Sequence, residues 1–297
     1  MPERLTKCPL CKSGHFLNHI ELTDFAVSKE SFLLSKCTNC ELLFTNPRPS
    51  QEEIAPYYDF PEYYSHQDNS KNLTQWIYQK VRNYSISKKV QLIEEFEEPG
   101  RLLDYGCGTA EFLNEARINL WKVQGIEPNE KARTQANKKL GGKVFENIDD
   151  LKKDTTFDVI TLFHVLEHIH DLRKTIKKVL NHLKSNGYIL IAVPNHESWD
   201  AKYYSKHWAG WDVPRHLYHF NQKAIKQFQE EFELNLIDIK PMIFDSFYVS
   251  LLSEKYKNPK SSLLKNYLNA VKNGYTSNQE ARLPGNYSSN IFIFQKK

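Results

Sequence analysis

Four of the five cysteines lie near the start of the chain in two Cys-x-x-Cys pairs, Cys8 with Cys11 and Cys37 with Cys40. A two-residue gap lets both thiolates of a pair face one ion, and two such pairs match a tetrahedral zinc site. Four protein ligands close that site to substrates. We therefore expect a structural zinc ion, which stabilises a ribbon of about fifty residues that is too small to build a core alone.

A glycine-rich turn is the second feature with chemical potential. In LLDYGCGTA, an apolar strand runs through Asp104, Gly106 and Gly108 into a helix. Glycines let the backbone approach a ligand, and a helix N-terminus offers free N–H groups to an anion. Roughly twenty residues later, VQGIEP places Glu127 at a strand end, where a carboxylate can accept hydrogen bonds from both hydroxyl groups of a ribose. An ordinary acid at a helix N-terminus is the alternative interpretation of Glu127.

An aromatic and histidine-rich stretch, which ends in WDVPRHLYHF, follows Pro194. In an open parallel sheet, ligands bind beyond the carboxyl ends of the strands, so a loop leaving a strand there lies over the ligand. We expect substrate recognition in this loop and predict that His216 or His219 is the general base or orients the acceptor, because an imidazole titrates near neutrality. The alternative, that each histidine only packs within an aromatic lid, stays open.

The elements that must position these groups alternate regularly from Arg101 onward. Strands with continuous apolar character separated by amphipathic helices indicate a parallel sheet covered on both faces. We predict a doubly wound, mostly parallel α/β fold. The expected divisions are a zinc ribbon (1–50), an aromatic segment with a linking helix and a possible lid (51–98), and a catalytic domain (99–297) with a substrate loop (195–221) and a helical insertion (244–275).

Composition narrows the classes of partner. Lys and Arg total 40 against 36 for Asp and Glu, a net charge of +4, and the signs alternate along the chain. This pattern is typical of a solvated surface and argues against nucleic acid as a partner. No apolar run is long enough for a membrane span, and the start has no signal-peptide pattern, so we expect a cytoplasmic protein. The oligomeric state is left open.

Residues from about 85 to 240 resemble the class I S-adenosylmethionine-dependent methyltransferases. Four motifs occur in order: LLDYGCGTAEFL as the glycine motif, VQGIEPN as the acidic motif, FDVITLFHVLEHIHDL as the fourth strand with its turn, and LKSNGYILIAVPN as the fifth strand. Ala110 departs from the pattern, since many members carry a third glycine there. The resemblance implies a Rossmann-like seven-stranded sheet and S-adenosyl-L-methionine as cofactor.

The resemblance also assigns cofactor contacts. It implies that the methionine end lies against Asp104, Gly106 and Gly108 and that the ribose lies on Glu127. The remaining implied contacts are Asn129 and the turn Asn147-Ile148 near the adenine, with Phe163 and His164 flanking the cofactor. For His168, packing and capping are favoured over catalysis.

The whole chain resembles a methyltransferase subgroup that combines a four-cysteine ribbon, a segment like PEYYSH and a DVPRHLYHF loop. Members modify sugars, cell-surface polysaccharides and other small metabolites, which implies a small-molecule, sugar or polysaccharide-precursor acceptor and O-methylation. The candidate substrate or lid residues are Tyr63, Tyr64, Trp211, Arg215 and Tyr218.

Three other functions fit the sequence less well. An RNA methyltransferase that binds RNA with its ribbon is disfavoured by the absence of a basic stripe. It is also disfavoured by the motif after the fourth strand: this chain has LFHVLEH, whereas enzymes that methylate nucleobase amino groups have Asn or Asp, two prolines and then Tyr or Phe at that place. A non-catalytic scaffold has no need of an intact Asp104, Gly106, Gly108 and Glu127. A nicotinamide dehydrogenase needs GxGxxG, where this chain has GCGTAE.

Overall fold

The computed structural model describes residues 2–58 and 73–297, with side chains in the second range from residue 79. The N-terminal cysteine segment forms three antiparallel strands, β1 (Phe16–Thr23), β2 (Ser31–Cys37) and β3 (Leu43–Thr45). The 22-residue helix α1 (Leu73–Glu94) follows and leads into the larger sheet. The interior side chains Val90 and Ile93 near its end are 2% and 0% exposed, so the end of α1 belongs to the core.

The larger sheet has seven strands in the order β10-β11-β8-β7-β4-β5-β6. The five strands from β8 to β6 in this order are parallel, and β11 runs antiparallel to both of its neighbours. Their bounds are β4 (Arg101–Tyr105), β5 (Lys122–Ile126), β6 (Val144–Phe145), β7 (Phe157–Phe163), β8 (Leu183–Pro194), β10 (Leu234–Pro241) and β11 (Ser289–Lys296). The predicted doubly wound, mostly parallel seven-stranded sheet is confirmed.

Helices cover the sheet because each has one apolar face. In α4 (Leu172–Asn181), for example, the buried residues Leu172, Ile176, Val179 and Leu180 follow the spacing of a single helical face. The other helices that connect the strands are α2 (Glu111–Ile118), α3 (Glu130–Leu140), α5 (Trp199–Tyr204) and α6 (Gln222–Glu231). The helical insertion consists of α7 (Asp245–Lys257) and α8 (Leu263–Glu280), so it extends beyond the expected limit at residue 275.

The helix before β8 ends earlier than its sequence indicates. Asn186-Gly187 after LRKTIKKVLNHL predicts a helix that continues to that turn, but α4 ends at Asn181, because the chain from Leu183 already pairs with Phe157 at the start of β7. The long connection after β8 is ordered by short elements. Besides α5, it holds 3-10 turns at Ser205–His207 and Ala209–Trp211.

The end of this connection joins the two sheets. Strand β9 (Tyr218–His219) is the fourth strand of the N-terminal sheet, where His219 pairs with Leu43 and Tyr218 with Phe44. One apolar core contains Cys8 and Phe44 from the ribbon together with Leu103 and Ile160 from the larger sheet. The ribbon therefore packs as part of the same body as the candidate site. No helix in the described part of the chain is long and apolar enough to cross a membrane.

Candidate active site

The glycine turn after β4 lies against the turn that follows β7. Gly106 has a φ of +80°, and an added Cβ would lie 2.4 Å from Val165 Cγ2, so any side chain there would collide. Gly108 has a φ of +54°, and no described atom lies within 4 Å of the position its Cβ would take. Gly106 thus fits close packing within the protein, whereas Gly108 borders open space of the kind a ligand needs.

Glu127 stands beside this turn as the sequence predicted. Its Oε2 accepts a hydrogen bond from the Gly108 N–H at 2.8 Å, and its Oε1 accepts one from the Asn129 N–H at 2.8 Å. Burial raises the pKa of Glu127, although these backbone donors and the charge of Arg133 act against the increase. A carboxylate has about four acceptor sites, so two remain for the hydroxyls of a ribose.

The side chains expected near an adenine have local structural partners. Asn129 caps α3, with its side-chain oxygen accepting a hydrogen bond from the Ala132 N–H at 3.0 Å. Asn147 precedes a short 3-10 turn, and its N–H donates to Asp150 Oδ2 at 2.9 Å. Ile148 is 5% exposed. The contacts of these residues are those of caps and packing, which leaves their predicted role in adenine binding a proposal.

Asp104 lies at the end of β4 with only 5% of its surface exposed. Thr161 Oγ1 on the adjacent strand donates to Asp104 Oδ1 at 2.7 Å. Burial raises the pKa of Asp104 to about 7, against the opposing effects of Thr161 and the Lys89 ammonium. This carboxyl group therefore titrates near neutrality, where a nearby positive charge would favour its ionised form.

Lys89 is a site residue that the sequence did not single out. Its ammonium, on α1, lies 4.3 Å from the centre of the Phe163 ring, and Phe163 in turn packs edge-on against Phe112. Burial lowers the pKa of Lys89, and the carboxylates of Asp245 and Asp104 oppose that change. The helical pattern of α1 carried no signal that one lysine turns inward.

His164 is held between two carboxylates. Its Nε2 lies 2.9 Å from Asp245 Oδ2 and its Nδ1 lies 3.4 Å from Glu167 Oε1. Burial lowers the pKa of His164, but the two carboxylates outweigh burial and raise it to about 10. His164 is therefore a cation at neutral pH. Asp245 begins the helical insertion, so that insertion reaches the candidate site, a contact for which the sequence carries no signal.

Glu167 and His168 follow His164 in a 3-10 turn, and His216 approaches them from the loop before β9. The rings of His168 and His216 meet edge to face with their centres 4.7 Å apart. Burial and the neighbouring His216 lower the pKa of His168 to about 4. Glu167 is a second functional candidate, besides Lys89, that is not predicted from the sequence, because an acid beside a histidine in LEH carries no distinctive spacing.

His219 is 3% exposed and packs against the Trp211 ring, with the ring centres 5.1 Å apart. Burial, with the nearby His216 and His196, holds its pKa well below the usual range, so the imidazole is neutral. Its Nε2 is buried, and no residue in the described part of the chain forms a hydrogen bond with it.

Three of the residues expected in a substrate lid have structural contacts. Arg215 is 2% exposed and forms ion pairs with Asp24 at 2.8 Å and Asp212 at 2.7 Å. The Tyr218 hydroxyl donates to a backbone carbonyl oxygen at 2.8 Å, and the Trp211 Nε1–H does likewise at 2.8 Å. The Arg215–Asp24 ion pair joins this loop to the ribbon, whereas the Tyr218 hydroxyl reaches His170 after β7 and the Trp211 bond to Ser205 lies within the loop. The other two lid candidates, Tyr63 and Tyr64, lie outside the described residues.

The four ribbon thiols converge as predicted. Cys8 Sγ lies 3.6 Å from Cys40 Sγ, and Cys11 Sγ lies 3.5 Å from Cys37 Sγ, which is too long for a disulfide bond of about 2.05 Å. All four sulfur atoms lie within 4.8 Å of one another. Each Cys-x-x-Cys pair forms a tight turn, here called a knuckle. The two knuckles have the same backbone hydrogen bond, in which the N–H of the residue after the pair donates to the carbonyl oxygen of the first cysteine, at 3.0 Å in each case.

Comparison with known proteins identifies the family of this chain. The methyltransferase domain family matches residues 78–239. The ubiquinone biosynthesis O-methyltransferase of Rickettsia conorii is 27% identical over 122 residues, 37% of this chain and 42% of that protein. Its counterpart in Rickettsia canadensis is 24% identical over 160 residues, 48% of this chain and 66% of that protein. This chain thus matches less than two thirds of either relative.

Among solved structures, a StiE O-methyltransferase fragment is 15% identical with a TM-score of 0.49, and the match covers 77% of this chain and 78% of that one.

Proposed function

Because the chain belongs to the methyltransferase domain family, we propose that it transfers a methyl group from S-adenosyl-L-methionine to an oxygen atom of a small-molecule acceptor. The observation that carries the proposal is the pairing of the open Gly108 turn with the Glu127 carboxylate, which is fixed at two backbone N–H groups and retains acceptor sites. This arrangement fits a ligand that carries a ribose and approaches the turn closely.

The residues present fit the cofactor chemically. Glu127 would hold the ribose hydroxyls, and Gly106 and Gly108 would border the methionine end. The pKa of the buried Asp104 carboxyl is about 7, so a cation beside it would favour the ionised form. When bound, S-adenosyl-L-methionine supplies an activated methyl group on a sulfonium. The Phe163 ring at the end of β7 presents an aromatic face, which attracts cations such as a sulfonium. The Lys89 ammonium lies 4.3 Å from the centre of this ring.

The chain must then position the acceptor and remove the proton of its hydroxyl group. We place the acceptor beside His164, His216 and His219, where the turn after β7 meets the loop after β8. His164 is already protonated and held by Asp245, so it suits charge stabilisation better than proton removal. His216 or His219 takes the acceptor proton or orients the acceptor, as the sequence predicts.

We propose that Cys8, Cys11, Cys37 and Cys40 hold a structural zinc ion. Tetrahedral thiolates at about 2.3 Å from zinc lie roughly 3.8 Å apart, close to the Sγ separations of 3.5 and 3.6 Å. The ion would stabilise the ribbon and with it the pairing of β3 with β9. Thiols without disulfides fit a reducing compartment, and we propose that the protein acts in the cytoplasm.

The acceptor class follows from two sources. Relatives named ubiquinone biosynthesis O-methyltransferases support oxygen as the methylated atom and a small molecule as the acceptor. The subgroup resemblance supports a sugar or polysaccharide precursor. We therefore propose a hydroxylated small molecule or saccharide precursor, with no nucleic acid partner.

The test is transfer of labelled methyl groups to a panel of nucleotide sugars, lipid-linked glycans and phenols, read as product mass. We expect one panel class to gain a single methyl group and the Glu127→Ala variant to lose the reaction at limiting cofactor. Calorimetry without acceptor supplies the control. Absence of S-adenosyl-L-methionine binding by the folded protein would refute the proposal whatever acceptor is tried.

A further inference from the structure

Three ligand-type side chains meet beside the candidate site, at the turn after β7 and the loop before β9. They are Glu167, His168 and His216, and a carboxylate oxygen and two ring nitrogens from them all lie within 4.8 Å of one another. We infer that these three side chains bind a divalent transition-metal ion, at a second metal site separate from the four thiols. The inference that a metal ion binds does not depend on the proposed function, whereas the catalytic role of the ion rests on that function.

The Glu167 carboxylate is the first reason. Its side chain is 0% exposed, yet neither oxygen accepts a hydrogen bond from any residue that the structure describes. Its Oε1 forms an ion pair with His164 Nδ1 at 3.4 Å, a contact without the alignment of a hydrogen bond. Among the described residues that pair leaves Oε2 without a hydrogen-bond donor, and a buried carboxylate oxygen without a donor is unfavourable. A metal ion bound to this carboxylate would supply the further contact.

The orientation of the two imidazoles is the second reason. His216 Nδ1 lies 2.9 Å from the Gly210 carbonyl oxygen, and His168 Nδ1 lies 3.0 Å from the Arg215 carbonyl oxygen. A carbonyl only accepts, so each Nδ1 carries the proton and each Nε2 keeps a lone pair; the Tyr58 hydroxyl, 3.0 Å from His168 Nδ1, then accepts from the same N–H. Metal-binding histidines are usually held in this way, with the second ring nitrogen donating to a carbonyl or carboxylate.

The donor set indicates the type of ion and site. Two imidazoles with one carboxylate bind Zn²⁺, Fe²⁺ or Co²⁺ and leave coordination positions open. This set differs from the four ribbon thiols, which close their site. An open position beside the acceptor would hold a hydroxyl oxygen and lower the pKa of that hydroxyl. With His216 engaged as a ligand, His219 is the imidazole left to take the proton.

Equilibrium dialysis against Co²⁺ tests the site, on full-length protein whose thiols are already loaded with zinc. We expect one Co²⁺ per chain in addition to the retained zinc, with d–d absorption and no thiolate-to-cobalt charge transfer. Glu167→Gln and His216→Gln should weaken this binding by at least roughly 100-fold, since loss of an outer-shell partner alone weakens metal binding about 10- to 100-fold. Wild-type protein that binds no cobalt beyond the thiolate site would overturn the inference.

His182→Gln is the matched control. His182 Nδ1 also lies near a backbone carbonyl oxygen, that of Thr155 at 2.7 Å, but His182 is not part of the cluster. The control should bind Co²⁺ as the wild type does, and equal weakening in all three variants would overturn the assignment. If a site variant does not fold, NMR of the cobalt-loaded wild type decides, because two shifted imidazole N–H signals are expected and their absence refutes the ligand set.

Azide tests whether the site is open. We expect azide to alter the d–d spectrum of the bound cobalt, and an unchanged spectrum would show a closed site and overturn the catalytic role. Failure of the metal inference is distinguishable from failure of the proposed function. Cobalt binding is measured without cofactor, whereas the methyltransferase proposal fails only if the folded protein does not bind S-adenosyl-L-methionine.

Discussion

Replacement of Glu127 by alanine tests the ribose assignment most directly. The wild-type carboxylate is fixed by N–H groups of Gly108 and Asn129, both at 2.8 Å, so it is already oriented before a ligand arrives. Two charge-assisted hydrogen bonds to ribose hydroxyls together stabilise the complex by about 2–4 kcal/mol. With about 1.4 kcal/mol for each factor of ten, the dissociation constant should increase roughly 30- to 700-fold.

The same change removes the acceptor for two backbone N–H groups. Gly108 and Asn129 are only partly buried, so water can replace the carboxylate, and we expect a folded variant with a small decrease in melting temperature. Isothermal calorimetry with S-adenosyl-L-methionine measures the affinity. Glu127→Gln keeps one carbonyl acceptor without the charge and should give an intermediate loss.

Glu130→Ala is the control for the competing interpretation. Glu130 is an exposed acid in the first turn of α3, where a negative charge interacts favourably with the helix dipole. It should leave cofactor affinity unchanged. Wild-type affinity in folded Glu127→Ala, or an equal loss in Glu130→Ala, would remove Glu127 from the ribose role.

Three further predictions concern binding, stability and metal content. Since the free protein binds a proton at Asp104 below a pKa of about 7 and a cationic cofactor favours the carboxylate, cofactor affinity should decrease about fivefold from pH 7 to pH 6; calorimetry should show no such dependence in Asp104→Asn. Gly106→Ala, with a Cβ 2.4 Å from a valine methyl and a φ of +80°, should lower the free energy of unfolding by about 2–4 kcal/mol in denaturant titrations, against about 1 kcal/mol for the unobstructed Gly141→Ala. Cys37→Ser should lose the ribbon zinc in elemental analysis and expose the ribbon to protease; a variant that keeps its zinc and its protease resistance would contradict the thiolate site.

The sequence predicted those parts of the fold that depend on local pattern. Continuous apolar runs such as FDVITLF became the buried centre of the sheet, because a parallel strand covered on both faces has no polar side. The turn containing Gly106 and Gly108 has the positive φ values that the glycine spacing requires. The four cysteines converge because each knuckle is a local turn, so only the packing of two knuckles had to be inferred.

The parts that sequence reasoning missed depend on tertiary contacts. Strand β9 has two residues, too few to show a periodicity, and it exists only because Leu43 and Phe44 pair with it. Lys89 turns inward toward Phe163, although lysine is usually an exposed residue. Glu167 and His168 are adjacent in sequence, but the third member of the possible metal-binding cluster, His216, is brought beside them only by the fold of the loop before β9.

The ribbon and the proposed acceptor site are connected through paired strands. The Cys37–Cys40 knuckle begins at the last residue of β2 and precedes β3, β3 pairs with β9, and β9 contains His219. The Thr45 N–H at the end of β3 donates to the Leu217 carbonyl oxygen at 3.0 Å, and Leu217 follows His216 directly. An ion bound by four ribbon thiols would therefore act on the proposed reaction at a distance, by holding β9, which contains His219 and begins two residues after His216. This continuity gives a physical reason for a closed, structural metal site in a chain whose proposed chemistry takes place at the edge of another sheet.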